Sequence, residues 1–347
     1  MKTNWVLMTA MPVTKGHEAL IKFANKFSVR RDELTVVVLS TQPGEPYIEE
    51  RRAALSWITS HLATTQLRVI PQEIEQNPEA PGFWDMWRKI LEDFGFQKGD
   101  GIIASDSYGK RLAQELGGKF YPYDLKREIV SSKATAVRHS YTWNYDMVAD
   151  SFKPFLQKRV VIFGAESTGK TSLTRAIYQD FGPRICTPLV EWARPYLEMK
   201  SDPELEPGDM EAIFYAQYAY QHIAEEAGKP FIIQDTDLLS TVGYSQLHPE
   251  WLTEDWEEEA LGYVSAADLY LFLPSSIPFE KDPLRYGGDV REGSDEFWLG
   301  VLEEYGVEYK VIESTTIKDR KVEARGHIDN LLDRVEDSIA FKRAWND

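Results

Sequence analysis

Gly164-Ala165-Glu166-Ser167-Thr168-Gly169-Lys170-Thr171, followed by Ser172, matches the pattern G-x-x-x-x-G-K-[ST]. It stands between an apolar run, KRVVIF, and a helical pattern, TSLTRAIYQDF. Glycines let a backbone wrap a phosphate, and successive N–H groups and a helix N-terminus add positive potential. In such a loop Lys170 reaches the β- and γ-phosphates and Thr171 offers its hydroxyl to Mg²⁺. The expected ligand is a nucleoside triphosphate, with ATP as co-substrate. A phosphoryl transfer also needs carboxylates, and the apolar run PFIIQ delivers Asp235-Thr236-Asp237 at its end. Strand ends are where ligands collect in α/β sheets, so Asp235 is expected to face the metal and Asp237 the metal or the acceptor. Glu191 and Arg194 are candidates to grip a ribose and a phosphate. Arg285 and Arg291, flanking Gly287 and Gly288, suit a lid over transferring phosphates. Each signal has a plainer reading as a turn, a cap or a surface ion pair.

A second constellation lies near the start. Met11-Pro12-Val13-Thr14-Lys15-Gly16-His17 falls between the first apolar run, WVLMTA, and the first helical pattern. That junction is where a doubly wound sheet binds nucleotides. Further on, Ser131-Ser132-Lys133-Ala134-Thr135-Ala136-Val137-Arg138 gathers hydroxyls and cations at a helix start, a second anion grip.

The elements that must position these residues follow a βαβα order. Strands are expected at 5–10, 34–41, 67–70, 100–105 and 119–124, with helices at 16–27, 49–62, 83–95 and 110–116 between them. A second start at Lys158 leads to strands at 158–164, 230–235, 268–274 and 309–314, with a last helix from about His327 to Trp345. This predicts an α/β protein of two parallel-sheet domains, 1–150 and 151–347. Trp84, Trp87 and Trp256 are candidates to stack on a base or pyridine ring, although tryptophans this numerous serve packing as well.

Composition narrows the partners. The 347 residues are 43% hydrophobic and 27% charged, with net charge −17. The halves differ: residues 1–150 hold 19 acidic and 19 basic side chains, so the negative excess falls in the second half. An acidic surface repels phosphate backbones, and no nucleic-acid partner is expected. The single cysteine, Cys186, leaves no disulfide framework. No run is long and apolar enough to span a membrane, and the start lacks a signal-peptide pattern. A cytoplasmic location is the expectation.

The Thr14 to His17 segment resembles the H-x-G-H or T-x-G-H signature of nucleotidyltransferases. Residues 131–138 look like the I-S-x-T-x-x-R element of the same superfamily. The order of these motifs, with a phosphate-loop half following, resembles the NadR-type bifunctional proteins over nearly the whole chain. Further support comes from Ser105-Asp106-Ser107-Tyr108-Gly109, Asp235-Thr236-Asp237 and Asp282-Pro283-Leu284-Arg285. The resemblance implies a Rossmann-like nucleotidyltransferase domain followed by a P-loop kinase domain. The kinase half would phosphorylate nicotinamide riboside to nicotinamide mononucleotide (NMN). The first half would join NMN to ATP, giving NAD and pyrophosphate. His17 would stabilise phosphate charge, and Thr14, Lys133, Thr135 and Arg138 would hold the ATP. Thr14 stands where most relatives carry a first histidine, and related pantetheine-phosphate transferases use threonine there. Association into a homo-oligomer is common in the superfamily. DNA binding is not expected, because the first strand begins at about Asn4 with no helix-turn-helix before it. A second reading stays open here, an active riboside kinase whose transferase half only binds or senses nucleotides.

Overall fold

The computed structural model describes residues 2–42, 44–70, 79–200, 204–251, 260, 262–264, 266–278 and 294–340. Arg285, Arg291 and Trp256 therefore lie outside the described residues. The chain divides into two compact units, Met1–Leu156 with Val335–Asp347, and Gln157–Arg334. This differs from the expected division at residue 150. The segment from Val335 joins the first unit, where Glu336 accepts hydrogen bonds from the Tyr141 N–H (3.2 Å) and the Ser140 hydroxyl (3.4 Å).

The first unit is built on five parallel strands: β1 (Thr3–Met8), β2 (Leu34–Ser40), β3 (Thr65–Ile70), β4 (Gly101–Ala104) and β5 (Lys119–Pro122). Their order across the sheet is β3-β2-β1-β4-β5. The order reverses at β1, so the loop that follows β1 opens at a switch point of the sheet. Strands β1 and β2 are apolar on both faces, because helices cover both sides of a parallel sheet. Helix α1 (Lys15–Val29) buries Leu20, Ile21, Ala24 and Ser28. The spacing is that of one helical stripe. Helices α2 (Ile48–Ser60), α3 (Phe83–Asp93), α4 (Tyr108–Glu115), α5 (Ala134–His139) and α6 (Lys153–Leu156) complete the unit. In α3 the buried residues Phe83, Trp87 and Leu91 recur every four positions and pack on Trp5, Val36 and Ile102 of the sheet.

The second unit repeats the plan with β6 (Lys158–Phe163), β7 (Cys186–Leu189), β8 (Phe231–Asp235), β9 (Leu269–Phe272) and β10 (Tyr309–Val311), in the order β10-β9-β6-β8-β7, again all parallel. Its described helices are α7 (Lys170–Phe181), α8 (Ala193–Met199), α9 (Asp209–Glu226), α10 (Leu238–Leu247), α11 (Ser294–Glu304) and α12 (Ile317–Ile339), the last of which belongs to this unit as far as Arg334. Helix α12 starts at Ile317, earlier than the His327 expected from apolar periodicity. The extra turns are polar and are held at their start by Thr316, whose hydroxyl accepts from the Asp319 N–H at 3.2 Å. Among the described residues no helix is long and apolar enough to cross a membrane.

Candidate functional sites in the two units

In the second unit β6 runs into the phosphate loop, and β8, its hydrogen-bonded neighbour, places Asp235 opposite Ile162. The loop geometry depends on both motif glycines. Gly164 has φ +134°, and a Cβ there would sit 2.6 Å from the Leu273 carbonyl oxygen. Gly169 has φ +88°, with the Arg320 guanidinium 3.3 Å from its Cβ position. The Thr168 hydroxyl closes the turn by donating to the Ala165 carbonyl at 2.9 Å. Lys170 Nζ donates to the carbonyls of Gly164 (2.9 Å) and Ala165 (2.8 Å).

Thr171 Oγ1 donates to Asp235 Oδ2 at 2.6 Å. Asp235 is buried, and its Oδ1 has no hydrogen-bond partner of good geometry among the described residues. Burial raises its pKa, while the charge of Lys170 and the Thr171 hydrogen bond oppose the rise. Asp237 also has a structural part. It is the N-cap of α10, where Oδ1 accepts from the Ser240 N–H at 3.2 Å, and its Oδ2 accepts from the Tyr270 hydroxyl at 2.6 Å. Each oxygen thus accepts one structural hydrogen bond, and the residue also borders the cavity that adjoins the loop. Burial raises its pKa too, with the charge of Arg159 opposing.

A cavity of about 580 Å³ adjoins the loop. Glu166, Ser167, Gly169, Lys170, Thr171 and Ser172 form its phosphate side. Glu191 and Arg194, just past β7, both border it, as their sequence position suggested. Leu197, Met210 and Ile213 give it an apolar wall, the mixture usual for a small-molecule site. Sequence reasoning missed Arg320. Nearly fully buried, it donates to the Thr168 carbonyl (2.5 Å), the Ser314 carbonyl (2.6 Å) and the Ser276 hydroxyl (3.2 Å).

The first unit brings Thr14, His17 and Arg138 together. The Thr14 N–H donates to His17 Nδ1 at 3.0 Å, and the Thr14 hydroxyl lies 2.9 Å from the same nitrogen. An Nδ1 that accepts a backbone proton leaves the ring hydrogen on Nε2. Burial, reinforced by the charges of Arg127 and Arg138, lowers the His17 pKa to about 4. The ring is therefore neutral near pH 7 and presents an Nε2–H donor. Arg138 donates to the Met11 carbonyl (2.6 Å) and to Thr135 Oγ1 (3.2 Å), joining the two sequence motifs. Lys133 is the N-cap residue of α5, and both it and Thr135 are exposed. Two of the three candidate tryptophans lie among the described residues. Trp87 is a core residue, 3% exposed. The Trp84 ring stacks with Tyr108 (5.5 Å between centroids) and carries the Arg111 guanidinium at 4.6 Å.

A family model described as an AAA domain matches residues 159–320. Among curated proteins the chain is similar to the trifunctional NAD biosynthesis/regulator protein NadR of Escherichia coli (strain K12). Identity is 25% over 249 residues, 69% of this chain and 60% of that protein. The Salmonella typhimurium NadR is 23% identical over 238 residues, 66% and 57% of the two chains. This chain thus spans about 60% of the length of the curated relatives it matches. Among solved structures, a NadR protein in complex with NAD and AMP-PNP matches with TM-score 0.59 and 18% identity, covering 99% of this chain and 97% of that one. NadR in complex with NR matches with TM-score 0.59 and 19% identity over 98% and 97%. The resemblance to NadR-type proteins holds in sequence for about two thirds of the chain and in fold for nearly all of it.

Proposed function

We propose that this NadR-type chain carries out two successive steps of NAD salvage, each in its own unit. The second unit transfers the γ-phosphoryl group of ATP to the 5′-hydroxyl of nicotinamide riboside. The first joins the resulting NMN to ATP, releasing pyrophosphate and forming NAD. The observation that carries this reading is a repeated arrangement. In each unit the strand where the sheet order reverses, β1 or β6, ends in a loop that leads into a helix start carrying polar side chains, Thr14 and His17 in one unit and Lys170 and Thr171 in the other. The NadR structures were solved with NAD, AMP-PNP and NR, ligands of the same chemistry.

In the kinase unit the 5′-hydroxyl oxygen of the riboside forms a bond to the γ-phosphorus as the bond to the bridging oxygen of ADP breaks, and the hydroxyl proton is released to water. The backbone of residues 164–171 positions the phosphates. Lys170, now donating to two loop carbonyls, has protons to exchange for phosphate oxygens. Glu191 and Arg194 border the cavity where the acceptor ribose fits. The Thr171 hydroxyl and the unpartnered Asp235 Oδ1 are hard oxygen donors, a set that suits Mg²⁺ shared with substrate phosphates. When bound, that ion would neutralise charge on the phosphates. Among the described residues no cluster of three or more His, Cys, Asp or Glu forms an all-protein metal site.

In the transferase unit an NMN phosphate oxygen attacks the α-phosphorus and pyrophosphate leaves. No proton has to move. The work is electrostatic, and the neutral His17 Nε2–H and the Arg138 guanidinium supply donors for developing oxyanion charge.

The test supplies the purified chain with ATP, Mg²⁺ and either nicotinamide riboside or NMN, with the acid forms of both in parallel. Riboside should give NMN and then NAD, and NMN should give NAD directly. Failure to form NAD from NMN would remove the transferase assignment, and failure to phosphorylate riboside would remove the kinase assignment.

A further inference from the structure

We propose that Arg127 is a polyphosphate-binding residue of the first unit, adding a guanidinium beside Gly16 to the site of Thr14, His17 and Arg138. The inference rests on the transferase reading and goes beyond the motifs that suggested it.

The turn that carries Arg127 is built to hold it. Asp124 accepts at both carboxylate oxygens, from the Ile129 N–H (3.1 Å) and the Val130 N–H (2.8 Å). The Arg127 N–H returns to the Asp124 carbonyl at 2.9 Å. Arg127 itself has φ +57°, the left-handed region that a residue with a Cβ enters at a cost. The outcome is a guanidinium delivered to the first turn of α1, with Nη1 3.5 Å from the Cβ position of Gly16. Any Cβ at Gly16 would also lie 2.9 Å from the Ser132 carbonyl, so a glycine is what lets the two segments approach.

Two guanidiniums thus act on one imidazole. Arg138 spends donors on the Met11 carbonyl and on Thr135. No hydrogen bond from the Arg127 guanidinium is present among the described residues, and its charge weighs on His17 more than that of Arg138 does. Positive charge gathered around a neutral donor, with strain retained in the backbone to keep it there, is the arrangement an oxyanion would stabilise. The ligand class is a polyphosphate: the β- and γ-phosphates of bound ATP and, after transfer, pyrophosphate.

Arg127→Gly is the informative variant, because glycine suits the positive φ and removes the side chain without adding backbone strain. Adenylyl transfer from ATP to NMN should show KM for ATP and the competitive inhibition constant of pyrophosphate raised roughly tenfold or more, with KM for NMN unchanged. Arg127→Lys should recover part of the loss. The His17 imidazole, followed by NMR, should titrate at higher pH in Arg127→Gly and should respond to added pyrophosphate in the unsubstituted chain at lower concentration than in the variant. Unchanged ATP and pyrophosphate constants in an active variant, or an identical imidazole response in both proteins, would overturn the assignment. If the unsubstituted chain forms no NAD, the transferase reading fails, while the imidazole titration still decides whether Arg127 holds the anion.

Discussion

Arg320 donates to the carbonyl of Thr168 at 2.5 Å across 152 residues of sequence, tying the first turn of α12 to the crest of the phosphate loop. The same guanidinium reaches Ser314 and Ser276, so one buried side chain fixes three loops around the cavity. Replacing it leaves the buried Thr168 carbonyl without this donor. Arg320→Met is expected to destabilise the second unit by about 2–4 kcal/mol. It should also raise KM for ATP in riboside phosphorylation. Urea unfolding and steady-state kinetics on the same preparation measure both.

Lys170→Ala addresses the independence of the two chemistries. Riboside phosphorylation should fall by at least about a thousandfold, as expected when a charge that meets the transferring phosphoryl group is lost. NAD formation from NMN should persist. An equal loss of both activities would contradict two separate sites.

Asp235→Asn keeps a side chain able to hydrogen-bond Thr171 while removing the buried charge. Phosphorylation should drop roughly a hundredfold or more. Stability should hold or rise, because a buried carboxylate with an unpartnered oxygen is costly to the fold. Thermal unfolding alongside kinetics separates these effects. A matched loss of both would mean that Asp235 is structural.

His17 gives a pH signature. Its pKa is about 4 in the folded chain against an ordinary 6.5. Between those values the unfolded chain binds the extra proton and the folded chain does not, so stability rises with pH across that window. Lowering the pH from 7 to 5 should cost the unsubstituted protein about 1–2 kcal/mol more than His17→Gln. Denaturant unfolding of both proteins at the two pH values checks this, and parallel losses would argue against a depressed imidazole.

Much of this architecture was legible because its signals are local. The strands are short apolar runs such as LTVVVLS and FIIQD, and the phosphate loop is a contiguous motif in its required context. What escaped depends on distance. Nothing near Arg127 or Arg320 in sequence announces that one faces His17 and the other Thr168. The early start of α12 did leave a trace, Thr316 with Asp319 three residues on, a capping pattern that apolar periodicity overlooks in so polar a stretch. Asp235 and Asp237 look alike at a strand end. Only the partners, Thr171 for one and Tyr270 with the Ser240 N–H for the other, tell their surroundings apart.

The tie between α12 and the phosphate loop means that recognising the eight-residue signature is not the same as possessing a working nucleotide grip. A polypeptide ending before Ile317 would still spell every letter of that signature, yet it would lack the fastening that keeps the crest in shape. Competence in this half is a property of its far end as much as of its opening strand.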